Sequence, residues 1–326
     1  MIISRTPFRI SFVGGGTDLQ SFYKDYGGAV VSTAINKYIY ITVKKQNELH
    51  PHKIRISYST TENVERVEDI THPIVREVLK FLEIDHPIEI TSIADIPART
   101  GLGSSSSFTV GLLNALHALK GEHISSKKLA EEACHIEIEK LGRPIGKQDQ
   151  YAAAFGGMNH IKFNQNGSVF VSPIVCKEEI RDKLFKNFMV FYTGISRDAS
   201  EILKEQVKQK EKNVNLLNEL RDMVAEFVET LESGENLERV GKILHMSWMR
   251  KKQLTSDISN QKIDEYYKIA LDAGALGGKI LGAGGGGFLL LYADEEKQDK
   301  IRKSFKELIE LDFDYEPEGS KIIYMA

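Results

Sequence analysis

The residues able to do chemistry are concentrated where glycine and serine meet charge. Positions 97 to 107 read Pro97-Ala98-Arg99-Thr100-Gly101-Leu102-Gly103-Ser104-Ser105-Ser106-Ser107, a glycine loop running straight into a helical pattern. First-turn N–H groups of a helix have no intrahelical partners, and the macrodipole places partial positive charge there, so such a junction attracts an anion. Glycines let the backbone approach a phosphate closely, and serine hydroxyls add hydrogen bonds or oxygen ligands for Mg2+. A flexible Ser/Gly linker is the plainer alternative, and the amphipathic helix that comes at once after it argues against it.

Two other segments imitate phosphate motifs and fail. Gly142-Arg143-Pro144-Ile145-Gly146-Lys147-Gln148 has three residues between its glycines where a Walker loop has four, and Gln148 stands where a metal-binding hydroxyl belongs. Gly282-x-Gly284-x-x-Gly287 satisfies a dinucleotide pattern but leads into Phe288-Leu289-Leu290-Leu291, a strand pattern where that fold needs a helix. Among charged candidates, Asp149 taken alone reads most simply as a helix N-cap, and Arg9 as a strand residue facing solvent. Glu137 and Glu139, two apart on a helix, point to nearly opposite sides, so only one can face a site. Arg99, Arg143, Lys147, Arg197, Arg250, Lys251 and Lys252 are the cations available to grip a substrate phosphate, and spacing does not choose among them.

Positioning these residues requires a mixture of helices and strands. Strand patterns occupy positions 2 to 13, 29 to 44, 53 to 58 and 87 to 93, with a helix at 72 to 83 on the apolar spacing of Ile74, Val78, Leu79 and Leu82. A helix from 104 to 119 buries Phe108, Leu112, Ala115, Leu116 and Leu119. Another covers 126 to 141 until Gly142 and Pro144 stop it, and a short one starts near Asp149. Strands return at 158 to 163, 168 to 174 and 187 to 193. Residues 196 to 253 are charged and amphipathic without proline, which predicts helices packed on one side only. A helix at 260 to 273, a strand at 288 to 292, a helix at 294 to 310 and a strand near 321 to 325 close the chain.

At 326 residues the chain suits two domains, and we place the boundary between 1–183 and 184–326. Forty-three Lys+Arg against 46 Asp+Glu leave a net charge of −3, which gives no bulk attraction to nucleic acid or anionic lipid. Cys134 and Cys176 cannot build a disulfide framework. Arg5 and Arg9 interrupt the N-terminal apolar stretch, so a cytoplasmic protein, as monomer or homodimer, is the expectation.

Three motifs together resemble the GHMP kinase superfamily, named for galactokinase, homoserine kinase, mevalonate kinase and phosphomevalonate kinase. They are Thr6-Pro7-Phe8-Arg9-Ile10-Ser11-Phe12-Val13-Gly14-Gly15-Gly16-Thr17-Asp18, Gly101-Leu102-Gly103-Ser104-Ser105-Ser106 and Gly282-Ala283-Gly284-Gly285-Gly286-Gly287. Within the superfamily, Gly14-Gly15-Gly16-Thr17-Asp18, Gly146-Lys147-Gln148-Asp149-Gln150-Tyr151, Tyr192-Thr193-Gly194-Ile195-Ser196-Arg197 and Gly277-Gly278-Lys279 are most similar to the heptose 7-phosphate kinase branch, with the kinase part of fucokinases as near kin.

The resemblance implies an α+β fold of two domains, an N-terminal one like the second domain of ribosomal protein S5 and a ferredoxin-like C-terminal one, with the site between them. It implies ATP and Mg2+, a sugar phosphate acceptor and transfer of the γ-phosphoryl group to an anomeric hydroxyl. Asp149 becomes the catalytic aspartate and Arg9 the cation beside it. Asp18, Gly15, Gly16 and Thr17 become acceptor-binding, with Gly15 and Gly16 standing where galactokinase has Glu and His. Arg99, Gly101, Leu102, Gly103, Ser104, Ser105, Ser106 and Ser107 become nucleotide-binding. Glu139, favoured over Glu137 for its spacing to Asp149 in the galactokinase pattern, becomes the Mg2+ ligand with Ser105. A free-sugar 1-kinase and a non-catalytic nucleotide-binding regulator are the rival readings.

Overall fold

The structure, a computed structural model, describes residues 1–47, 49–195 and 199–326, so the candidate Arg197 lies outside the described residues. Strand β1 (Ile2–Val13) opens with alternating exposure and ends buried on both faces. A strand of this kind reads as a continuous apolar run, and a charge inside it must find a partner. Helix α1 (Gln20–Tyr26) follows the first glycine loop, and β2 (Gly28–Lys45) returns antiparallel to β1 along nearly its whole length. Next come β3 (Ile54–Ser57), β4 (Thr61–Val64), α2 (Pro73–Phe81), β5 (Ile88–Ala94) and α3 (Ser104–Leu119). Helix α4 (Ser126–Cys134) runs into a π-helical turn over His135–Lys140, and α5 (Gln148–Phe155) precedes β6 (Met158–Phe163) and β7 (Val169–Pro173).

The second half contains α6 (Glu178–Asn187), β8 (Phe188–Tyr192), α7 (Ala199–Lys208), α8 (Lys210–Ser233), α9 (Glu238–Lys251), α10 (Gln261–Ala273), β9 (Gly277–Ile280), β10 (Phe288–Tyr292), α11 (Glu295–Ser304), β11 (Ile309–Glu310) and β12 (Lys321–Met325). Two sheets result. The first has eight strands in the order β12-β1-β2-β5-β3-β4, with β6 on β2 and β7 on β6, while the second is β11-β8-β10-β9. The expected cut at 183/184 falls inside α6, and β12 departs from it by pairing with β1 in the first sheet. One apolar core joins both halves: Phe12 of β1 stacks on Phe188 of β8 at 5.1 Å and on Phe227 of α8 at 5.4 Å between ring centroids. Helix α3 is buried almost all round, which fixes its glycine-led end against β1 and α5. None of the described helices is long and apolar enough to cross a membrane.

At the far end of α3, buried His117 lies between two carboxylates, with Nδ1 2.7 Å from Glu122 and Nε2 2.7 Å from Glu132. The Glu132 hydrogen bond, helped by Glu122 and opposed by burial, raises the imidazole pKa. A raised histidine stabilises the fold fully below the unfolded value of about 6.5 and loses that contribution as pH climbs through the folded value. His117→Gln is expected to cost about 1–3 kcal/mol of unfolding free energy near pH 6 and distinctly less near pH 9, read by urea denaturation. Equal losses at both pH values contradict the pairing.

Candidate active site

Arg9 sits in the doubly buried part of β1, only 3% exposed, and the plain reading of a solvent-facing side chain does not hold. Its guanidinium grips Asp149 in a fork, Nε to Oδ1 and the second terminal nitrogen to Oδ2, both at 2.8 Å. The first terminal nitrogen donates to Gly101 O at 2.7 Å, and the Arg9 amide donates to Leu102 O at 3.2 Å. A forked pair of this kind fixes orientation as well as charge. Asp149 is in the first turn of α5, but the capping position is Lys147 and no side chain caps that helix. The carboxylate is held for Arg9 instead.

The phosphate-loop candidate ends at Gly103, the N-cap of α3, whose left-handed backbone at φ 78° suits glycine. Having no side chain, Gly103 leaves the first-turn amides of α3 uncapped. A Cβ on Gly103 would lie 3.3 Å from Arg9 Cγ and 3.4 Å from Asp149 Oδ2, so the catalytic candidate touches the mouth of the anion site. The last glycine loop supports it from behind. Gly101, at φ 87°, and Gly282, at φ 74°, approach so closely that a Cβ on Gly101 would meet Leu281 O at 2.5 Å and one on Gly282 would meet Gly101 Cα at 2.7 Å.

Side chains of the loop divide sharply. Arg99 is exposed with a left-handed backbone, and Ser104 is half-buried. Leu102 is fully buried, so only its backbone is available, and its carbonyl is taken by Arg9. The buried Ser107 hydroxyl donates to Pro7 O at 2.8 Å and so has its proton directed at β1. Ser105 and Ser106 turn to Glu137, donating to Oε1 at 2.6 Å and Oε2 at 2.7 Å.

Glu137, not Glu139, faces this site. The Glu137 side chain has no solvent exposure and also accepts from Gln150 Nε2 at 2.8 Å and an Arg143 terminal nitrogen at 2.9 Å. Glu139 is 70% exposed and reaches His135 at 2.7 Å. Glu139 thus points away from the serines that Glu137 meets. The Glu137 carboxylate and the two serine hydroxyls form an oxygen-rich set, and the Oε1 of Gln150, on the amide that donates to Glu137, is buried without a hydrogen-bond partner. Among the described residues no cluster of three His, Cys, Asp or Glu stands ready for a metal.

On the acceptor side, Asp18 is buried, with Oδ1 accepting from the Gly16 amide at 3.0 Å and Oδ2 from the Gln148 amide at 3.3 Å. Gly146 makes room for it, since a Cβ there would fall 1.9 Å from Oδ2. Burial, then the charge of Asp149, raises the Asp18 pKa against those two amides. Gly15 opens onto Gln148 and Ser11. The buried Thr17 hydroxyl lies 2.8 Å from Gly14 O and 2.9 Å from Ala29 O and accepts from the Ala29 amide at 3.1 Å, which pins the loop to β2.

The cations also sort themselves. Arg250 pairs with Glu219, Lys252 with Asp264 at 2.8 Å, and Lys147 donates to Gly167 O at 3.0 Å. Lys251 is buried, donates to Gly282 O at 2.5 Å and has its pKa lowered to about 8 by burial, against the charge of Asp18. Lys279, which the glycine motif carried without a role, is buried beneath β1 and donates to Ser11 O and Phe12 O, both at 2.9 Å. Burial first, then Lys251 and Arg9, depress its pKa strongly.

Family models fit both halves of this arrangement: the GHMP kinases N terminal domain over residues 72–157 and the GHMP kinases C terminal over residues 223–310. D-glycero-alpha-D-manno-heptose 7-phosphate kinase of Campylobacter jejuni is 31% identical over 334 residues, covering 98% of each chain. The chain belongs to the GHMP kinases. A second relative of the kinase, the L-fucokinase/L-fucose-1-P guanylyltransferase of Bacteroides fragilis, is 27% identical over 94% of this chain and 36% of its own length. Among solved structures, a D-glycero-D-manno-heptose 1-phosphate kinase from Bacteriodes thetaiotaomicron superposes with a TM-score of 0.83 at 23% identity over all of both chains, which establishes the fold. A putative sugar kinase from Campylobacter jejuni superposes at 0.77 with 28% identity over 98% of this chain and 97% of its own. Membership makes the protein an ATP-dependent phosphotransferase. Glu137→Gln is expected to lower kcat/KM about 100-fold or more, while Glu139→Gln stays within about twofold of the parent. Steady-state kinetics that reverse this order remove Glu137 from the site.

Proposed function

We propose that the kinase transfers the γ-phosphoryl group of ATP to the anomeric hydroxyl of D-glycero-D-manno-heptose 7-phosphate, giving the 1,7-bisphosphate. The observation that carries this reading is the Arg9–Asp149 fork, set against Gly103 at the uncapped start of α3. There a carboxylate meets a place built for phosphate oxygens. Resemblance over nearly the whole chain to the Campylobacter jejuni enzyme supports the choice of sugar.

In this reading the first-turn amides of α3 and the hydroxyl of Ser104 hold the phosphates, while the hydroxyls of Ser105 and Ser106 stay turned to Glu137. Asp149 orients the attacking hydroxyl and takes its proton, while Arg9 fixes the carboxylate and balances charge at the transferring group. Asp18 accepts a sugar hydroxyl. Phosphoryl transfer asks for positioning and charge stabilisation more than covalent work, which suits a site of this kind. Glu137 with Ser105 fits Mg2+, a cation that prefers oxygen ligands and completes its shell with phosphate and water. Bound there, the ion would neutralise developing charge on the phosphate oxygens. Lys251, buried on the Asp18 side with one carbonyl partner, is our choice for the cation facing the acceptor's distal phosphate.

Asp149→Asn is expected to abolish phosphorylation with ATP affinity kept within a few-fold, by kinase assay and calorimetry. Turnover near that of the parent removes Asp149 from the role. A panel of sugars with and without a distal phosphate tests the acceptor: heptose 7-phosphate should exceed free L-fucose in kcat/KM by about 100-fold, and equal values favour a free-sugar 1-kinase, the reading the fucokinase relative supports. Because a protonated Lys251 is needed, kcat/KM for the phosphorylated acceptor should fall as pH rises through about 8, and Lys251→Met should flatten that limb of the profile.

A further inference from the structure

Glu137 is a carboxylate with no solvent exposure, and the neighbouring cation that compensates it is Arg143. The backbone enforces the meeting. Gly142 turns the chain with φ 62°, the Arg143 amide donates to Glu137 O at 3.1 Å, and the side chain doubles back over the same residue. One terminal nitrogen donates to Glu137 Oε1 at 2.9 Å and to Ser105 Oγ at 2.5 Å. Those two oxygens are the pair proposed to hold the divalent ion, and the role of Arg143 rests on that reading. A guanidinium and a metal ion cannot both occupy the space between them. An unpaired carboxylate at zero exposure carries a heavy desolvation penalty, which a cation standing beside it offsets when metal is absent.

Arg143 is suited to leave. Its side chain is 28% exposed, lies beside the first turn of α3 and ends in a flat fork that matches phosphate oxygens as well as it matches a carboxylate. Ser106 and Gln150 would remain on Oε2 of Glu137 after its departure.

We propose that Arg143 is a resident cation that fills the metal position of the nucleotide-free kinase, is exchanged there for the divalent ion, and passes its guanidinium to the phosphate oxygens of the incoming nucleotide. A site gated in this way binds metal alone weakly and binds metal with nucleotide well, because only the nucleotide offers the displaced guanidinium a new anion.

The test uses the full chain, with Mn2+ alone followed by electron paramagnetic resonance and ADP followed by calorimetry. Arg143→Met should bind Mn2+ alone about tenfold more tightly than the parent and ADP in excess chelator about tenfold more weakly. Arg143→Lys, which keeps charge but not the fork, should fold and hold Mn2+ at the parent level while losing ADP affinity. Unchanged Mn2+ and ADP affinities in Arg143→Met overturn the exchange and leave a purely structural ion pair. If removing Arg143 unfolds the chain, the parent decides: the Arg143 Nε–H resonance should shift on adding Mg2+ with ADP, and an unmoved resonance overturns the exchange. A parent that binds no nucleotide with Mg2+ sinks the proposed function and this inference together, whereas binding with an indifferent Arg143 sinks this inference alone.

Discussion

The forked ion pair between Arg9 and Asp149 is the interaction on which the site depends. Arg9 is nearly inaccessible inside a strand buried on both faces, and such a charge is tolerated only with a close partner. Its three side-chain bonds and its own amide draw together β1, the first turn of α5 and the loop before α3. Losing Asp149 would leave the Arg9 charge buried and unpaired, so the fold and the proposed chemistry share one constraint.

Around that pair the molecule distributes charge unevenly. Carboxylates at 18, 137 and 149 are balanced by Arg9, Arg143 and Lys251, with Lys279 lying beneath β1. Burial pushes Asp18 toward its neutral form and both lysines toward theirs. The interior therefore holds groups whose charge is poorly solvated before substrates arrive, and an anion entering the cleft would relieve that cost for the lysines.

Much of this was legible in the residues. The α3 N-terminus, its glycine lead-in and the strand that bears Arg9 follow from local pattern, because capping and periodicity are local physics. Partnerships were not. The hydroxyls of Thr17 and Ser107 meet carbonyls of Gly14, Ala29 and Pro7, some of them distant in sequence. Spacing to Asp149 favours Glu139, whereas the structure turns Glu137 to the serines from within the π-helical turn over His135–Lys140 and leaves Glu139 exposed. Strand β9 is faint in the sequence because Gly277 and Gly278 weaken a strand signal, although both are required where Gly241 O and Leu290 O pass within 2.2 Å of an added Cβ. The return of β12 to β1 is a pairing across almost the whole chain, which no window of sequence contains.

Every role proposed for the site turns on where a triphosphate sits. A crystal structure of the kinase with a non-hydrolysable ATP analogue and sugar phosphate should place phosphate oxygens on the amides of Ser104 to Ser106, with the anomeric hydroxyl against Asp149. A triphosphate bound elsewhere, with the start of α3 still bare, would contradict the central claim.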